Sequence, residues 1–193
     1  MPRTASKRLA VASVVALLAL ALAACGSSPE GDYGGKAPDY RKALAGAPAP
    51  LAKLYSQGDR LLDGGADAFE AQLARLRGYP VVVNKWASWC GPCRAEFPFL
   101  QNLSAKYGKR VAFLGVDSND SEDAARTFLG EYPQPYPSYN DPDQDIAQVL
   151  NATLGFPSTA FYDRKGEVVY LKQGGYASEA DMRADIERYA LAG

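Results

Sequence analysis

Cys90 and Cys93 stand two residues apart, with Gly91 and Pro92 between them and Trp86-Ala87-Ser88-Trp89 ahead of them. Thiols at this spacing can close to a disulfide and open again, which makes the pair a candidate for redox exchange. Two other chemistries use the same spacing. A four-ligand zinc site needs further cysteine or histidine, and the chain has no histidine and only one other cysteine, Cys25. Haem attachment needs a histidine directly after the second cysteine, and Arg94 is there. A dithiol redox pair is left. Without histidine there is also no Ser-His-Asp triad, no Cys-His protease pair and no His-ligated metal or haem. Neither a metal site nor a cofactor is expected.

The elements around the pair decide what each thiol does. Val81-Val82-Val83 leads in as an apolar run, and Arg94 to Tyr107 leads out as a helical pattern. Cys90 therefore sits where a helix begins, and unpaired N–H groups together with the helix dipole favour its thiolate. Pro92 suits the first turn, where no N–H is needed. In exchange, an accessible thiolate attacks the target disulfide and a second thiol then displaces the product. Cys90 is expected to attack, and Cys93, one turn in and more buried, to resolve.

Trp89-Cys90-Gly91-Pro92-Cys93 after an apolar strand resembles the active site of the thioredoxin superfamily. Arg94-Ala95-Glu96-Phe97-Pro98 and the distant Gly155-Phe156-Pro157-Ser158-Thr159 are similar to its membrane-tethered TlpA/ResA-type branch. The resemblance implies a thioredoxin-like α/β fold, with a mixed central sheet, helices on both faces and an αβ insert. It implies that Pro157 is a cis-proline opposite the dithiol, and that Phe156 offers backbone groups to a bound substrate strand by edge pairing. Trp89 would partly cover the thiols and touch substrate. Glu96 matches the branch's glutamate one turn past the second cysteine and is the candidate general base. Asn84 departs from thioredoxin, which has a buried aspartate there. Lys85 departs too, since most relatives are apolar at that position. A charged lysine in a central strand must pair, snorkel or lose its proton.

The remaining pattern supplies the scaffold. Helices are expected over 66–77, 122–129, 143–150 and 178–190, the last with Ser178 as N-cap and Asp181 in the capping-box position. Strands are expected over 81–87, 111–116, 159–162 and 167–171, the last two joined by a turn at Gly166. Asp117 to Ser121 reads as a turn and helix cap. Glu131 to Tyr139, with its prolines and tyrosines, reads as a rigid surface-packed loop. Leu51, Leu54, Tyr55, Leu61 and Leu62 recur at near-helical spacing, so a helix ahead of the common fold is expected there. Tyr40 to Ala45 could add a turn or two.

Residues 1–24 read as a targeting segment. Arg3, Lys7 and Arg8 precede an apolar run from Leu9 to Ala24, too short for the roughly 20 residues of a membrane span. Leu22-Ala23-Ala24-Cys25 resembles the lipobox of bacterial lipoproteins, in which Cys25 would be lipidated and become the mature N-terminus. Residues 25–50, rich in Gly, Ser, Pro and Ala, read as a flexible linker, and 51–193 as the thioredoxin-like domain. Export places the dithiol where disulfides persist. The net charge is −1; 21 basic residues less the three in the leader, against 22 acidic, leave −4, so no nucleic-acid partner is expected.

These features point to an extracytoplasmic thiol–disulfide oxidoreductase, lipid-anchored to a bacterial cell membrane. Its expected direction is reduction of exported proteins, with apocytochrome c thiols a common target in the family and electrons from a membrane partner. The alternatives are a disulfide-forming oxidase and a peptide-binding or chaperone module on the same fold.

Overall fold

A computed structural model describes residues 36–192. The expected leader and Cys25 lie outside the described residues. Two short helices come first, α1 (Tyr40–Ala43) and α2 (Ala49–Tyr55), followed by strand β1 (Leu61–Leu62) and helix α3 (Gly65–Arg75). Strand β2 (Val81–Trp86) runs into the long helix α4 (Gly91–Tyr107), and β3 (Ala112–Ser118) into α5 (Glu122–Glu131). Then come β4 (Ser138–Asp141), α6 (Asp145–Val149), β5 (Ser158–Tyr162), β6 (Val168–Gln173) and α7 (Glu179–Asp185), which passes into a π-helical turn, Ile186–Ala190.

The strands form one mixed sheet in the order β1-β4-β3-β2-β5-β6. The pairs β1–β4, β4–β3 and β3–β2 are parallel, while β2–β5 and β5–β6 are antiparallel. Every residue of β2 is buried, as a strand covered on both faces must be, and this is why it reads as a continuous apolar run. Side chains alternate along it. Val82 and Trp86 pack against Phe97, Leu100 and Leu103 of α4 and Phe128 of α5. Val81 and Val83 pack on the other face, with Leu51, Leu54, Phe69 and Ile146. The same alternation sends the neighbours Asn84 and Lys85 to opposite faces.

Four sequence expectations are corrected. Leu61 and Leu62 do not extend a helix; they pair with Ser138 and Tyr139 as an edge strand. Asp117 and Ser118 are not cap residues but the buried end of β3, because pairing with β4 continues through Asp117↔Asn140 and Ser118↔Asp141. The cap of α5 is Ser121 alone, whose hydroxyl accepts from the Ala124 N–H. The stretch after Glu131 is no surface loop. Tyr136 and Tyr139 are buried, and β4 begins at Ser138. At the near end of the chain, Tyr40 Oη donates to Pro133 O at 2.9 Å and α2 crosses position 50, so ordered packing starts ahead of residue 51.

Gly115 in β3 allows a close crossing. Trp86 Nε1 donates to Ser138 Oγ at 3.1 Å directly over it, and a Cβ there would fall 2.1 Å from that hydroxyl. The bond secures Trp86, the last residue of β2, above the start of the dithiol turn.

Candidate active site

Cys90 is the N-cap of α4, and its sulfur accepts from the Cys93 N–H at 3.1 Å. The two cysteines are joined as a disulfide, with Cα atoms 5.2 Å apart. Cys90 keeps 3% of its surface exposed and Cys93 none. A thiolate on Cys90 would inherit the N–H donors of the helix start, whereas Cys93 is enclosed by protein. Trp86 is core, stacked on Phe128 at 5.0 Å. Trp89 is 56% exposed, with Nε1 donating to Asn119 O at 3.0 Å. Its ring stands beside that of Phe156, 4.8 Å between centroids.

The Phe156–Pro157 peptide is cis. Pro157 O accepts from Gly174 N at 2.8 Å, which fixes the start of β5 against the end of β6. Beside it, Gly175 leaves room where three site residues converge. A Cβ there would lie 3.5 Å from Pro92 Cβ and 3.7 Å from both Glu96 Oε2 and Pro157 Cδ. Pro92, between the cysteines, thus shares one small region with the Glu96 carboxyl and Pro157.

Glu96 is fully buried. Its Oε1 accepts from Asn84 Nδ2 at 2.8 Å, and its Oε2 from the Tyr176 N–H at 3.0 Å. Asn84 Nδ2 also donates to Thr159 Oγ1 at 3.2 Å. Burial pushes the Glu96 carboxyl up to about 7, against the opposing pull of the Tyr176 N–H, the Asn84 amide and the Lys172 charge. A carboxyl that titrates near neutrality can give and take a proton at working pH. The uncharged Asn84 supplies the donor that a second acid could not.

Two further buried groups have surroundings that a sequence reading does not supply. Asp117 is fully buried at the end of β3, and neither of its oxygens meets an N–H or O–H donor among the described residues. Burial, reinforced by the Asp120 and Asp141 charges, raises its carboxyl to about 8. In the neutral form its proton faces the Asp120 carboxylate, which in turn accepts from the Ser88 N–H, two residues before Cys90. Lys85 is the second. Its Nζ donates to Ala152 O and lies 3.8 Å from the Phe156 ring centroid. An acid at a strand end and a lysine in an apolar run are visible signals; their partners, far away in the chain, are not. Among the described residues no group of three or more Cys, Asp or Glu is arranged to hold a metal ion.

Comparison with known proteins agrees with this geometry. A family model described as Redoxin matches residues 34–187. The chain is 31% identical over 169 residues to the thiol:disulfide interchange protein DsbE of Escherichia coli, covering 87% of this chain and 86% of that protein. It is 30% identical over 131 residues to the thiol-disulfide oxidoreductase ResA of Oceanobacillus iheyensis, covering 63% and 67%. A crystal structure from Chlorobium tepidum, assigned as a thiol:disulfide interchange protein DsbE, superposes with a TM-score of 0.55 at 31% identity, covering 62% of this chain and 83% of that one.

Proposed function

The chain belongs to the Redoxin family, and we propose that it is a lipid-anchored reductase of disulfides in exported proteins. As a thiol–disulfide oxidoreductase of the DsbE and ResA kind, it acts through Cys90 and Cys93. In the reducing direction the Cys90 thiolate attacks a target disulfide, forming a mixed disulfide and releasing one target thiolate. Cys93 then attacks Cys90 Sγ. The second target thiol leaves, and the Cys90–Cys93 disulfide is the oxidised product. The Cys93 proton passes to the Glu96 carboxylate. Phe156 and Pro157 hold the target strand across the dithiol, and Trp89 contributes an exposed aromatic edge. A membrane electron-transfer partner returns two electrons to the pair.

One observation carries the direction: among the described residues, the buried acids Glu96 and Asp117, the latter in register with Trp86, lie on the dithiol side of β2, while the Lys85 cation lies on the opposite face. Stabilising the Cys90 thiolate makes a pair oxidising. A carboxylate beside Pro92 opposes that thiolate, so reduction is favoured. The Gly91-Pro92 pair matches reducing thioredoxins, and no histidine is present to favour the oxidising kind. Location follows from the leader and from Cys25. The relatives' names support exchange chemistry, and apocytochrome c thiols are the target class we favour.

The test is equilibration of the purified protein in a glutathione redox series, followed by alkylation. A potential near the roughly −270 mV of thioredoxin supports the reductase. A potential near the roughly −120 mV of DsbA, with rapid oxidation of a reduced unfolded protein, would make it an oxidase.

A further inference from the structure

Lys85 is fully buried in the middle of the sheet, paired in register with Val116 on one side and Ser158 on the other. Burial depresses its ammonium pKa, and the Asp141 charge opposes that effect. Among the described residues no carboxylate forms an ion pair with it. The oxygens of Asp141 are already taken, by the Ile146 N–H at 2.8 Å, the Ala147 N–H at 3.0 Å and the Ser118 hydroxyl. A lysine that served only to fill a hole would be an expensive choice, since a buried cation is far less stable there than an apolar chain of similar volume. Both groups that receive this ammonium belong to one segment, Asn151 to Pro157: the carbonyl of Ala152 and the ring face of Phe156.

That segment needs holding. It turns through positive φ at Asn151 and Gly155, and Leu154 at its crest is 75% exposed. Its backbone hydrogen bonds sit at the two ends, where Asn151 and Ala152 donate to Gln148 O and Ala147 O, and Pro157 O accepts from Gly174 N. Between those ends, Lys85 reaches up from β2 and grips it at two points, while the Ser158 hydroxyl donates to Gly155 O at 3.3 Å. Phe156 is then clamped on two sides, with the ammonium at 3.8 Å and the Trp89 ring at 4.8 Å. Trp89 precedes the attacking cysteine directly.

We infer that Lys85 is a positioning residue for substrate recognition: its ammonium fixes the Ala152–Phe156 backbone relative to Trp89 and so sets the platform on which an extended polypeptide beside the target disulfide is bound. This rests on the reading that Phe156 presents backbone groups to the substrate. A cation held against a ring away from water is a strong contact, and its removal leaves the Ala152 carbonyl without its donor. A small disulfide that makes no strand contact has no use for the platform, so Lys85 discriminates between polypeptide and small-molecule substrates.

The experiment compares Lys85→Met with the unmutated protein on two substrates, a disulfide-bonded unfolded protein and 2-hydroxyethyl disulfide. The expected result is a fall of about tenfold in the ratio of the two second-order rate constants. Rates that fall together would mean that Lys85 acts on the Cys90 thiolate, and unchanged rates would mean that it only fills space; either result overturns the inference. Phe156→Leu, which removes the ring from the other side of the contact, keeps the question open to measurement if Lys85→Met folds poorly. Its ratio should fall likewise, and an unchanged ratio overturns the inference. Amide hydrogen exchange at Ala152 and Gly174 supplies a readout independent of activity, and in Lys85→Met it should speed up at both. If the unmutated protein fails to exchange with the protein disulfide, the proposed function falls, and these two amides alone decide the role of Lys85.

Discussion

The side-chain amide of Asn84 donates to the carboxylate of Glu96 at 2.8 Å, joining the central strand to the helix that carries both cysteines. A neutral amide in this place lets one buried acid ionise near neutral pH without facing a second negative charge. Asn84 Oδ1 has no donor of its own among the described residues, so the amide is committed to Glu96 and Thr159 through its nitrogen.

Glu96 should therefore govern the resolving step. Its carboxyl is pushed up to about 7, and on the proposed mechanism it would accept the Cys93 proton above that pH. Mixed-disulfide resolution should rise through pH 7 in the unmutated protein. In Glu96→Gln the rise should move up towards the ordinary thiol pKa of about 8.5. Stopped-flow mixing across pH 5–10 measures this, and identical profiles would leave Glu96 without a role in proton transfer.

The same carboxyl makes a stability prediction with a definite sign. Its folded pKa lies above the ordinary 4.5, so the folded state binds the proton more tightly than the unfolded chain does. Stability is highest below about pH 4.5 on this account, and falls as pH rises to about 7. Glu96→Gln should flatten that decline and raise stability at pH 8 by about 1–3 kcal/mol. Urea unfolding at pH 5 and pH 8 gives both values.

Asp117 behaves in the same sense over a wider range. Its carboxyl is raised from 3.8 to about 8 by burial and by the neighbouring Asp120 and Asp141 charges. The proton is held more tightly in the fold, and stability is lost as pH climbs from about 3.8 to about 8. Asp117→Asn should remove the charge penalty and stabilise the protein at pH 9, by on the order of 2 kcal/mol. Its Nδ2 would also offer Asp120 a donor at every pH. A lower midpoint of urea unfolding at pH 9 would show that the ionised acid has a partner.

How much of this could be read from the sequence depends on how local each cause is. The strand before Cys90 was legible because β2 is covered on both faces and so is apolar throughout. The cap at Cys90 and the Ser178–Asp181 pair were legible because capping acts within one turn. Strand β4 was not. Pro133, Pro135 and Pro137 lead into it, and its strand character comes from pairing with β3 and β1, which no local pattern carries. Lys85 was conspicuous, but Ala152 and Phe156 lie far along the chain and only the fold brings them to it.

Gly115→Ala tests the packing above the dithiol turn. The new methyl would fall 2.1 Å from Ser138 Oγ and 3.0 Å from Trp86 Nε1, separating the two groups that bond across β3. Overpacking of this kind costs roughly 1–3 kcal/mol. Thermal unfolding should show that loss, with a change in the buried Trp86 fluorescence. Gly175→Ala is the control. Its methyl meets neighbours only at 3.5 Å and beyond, so stability should change little.

The last prediction separates the two cysteines. With Sγ of Cys90 at the helix start and Cys93 sealed behind it, only Cys90 can meet a target from outside. Cys93→Ser should form mixed disulfides that persist, because the group that resolves them is gone, whereas Cys90→Ser should form none. Exchange activity should fall to background in both. Isolating the trapped species from membranes by non-reducing electrophoresis, with and without Cys25→Ser, adds location. If Cys25 carries the lipid, its removal should shift the trapped protein to the soluble fraction while leaving the mixed disulfides intact. Mixed disulfides that accumulate on Cys90→Ser instead would reverse the roles of the pair.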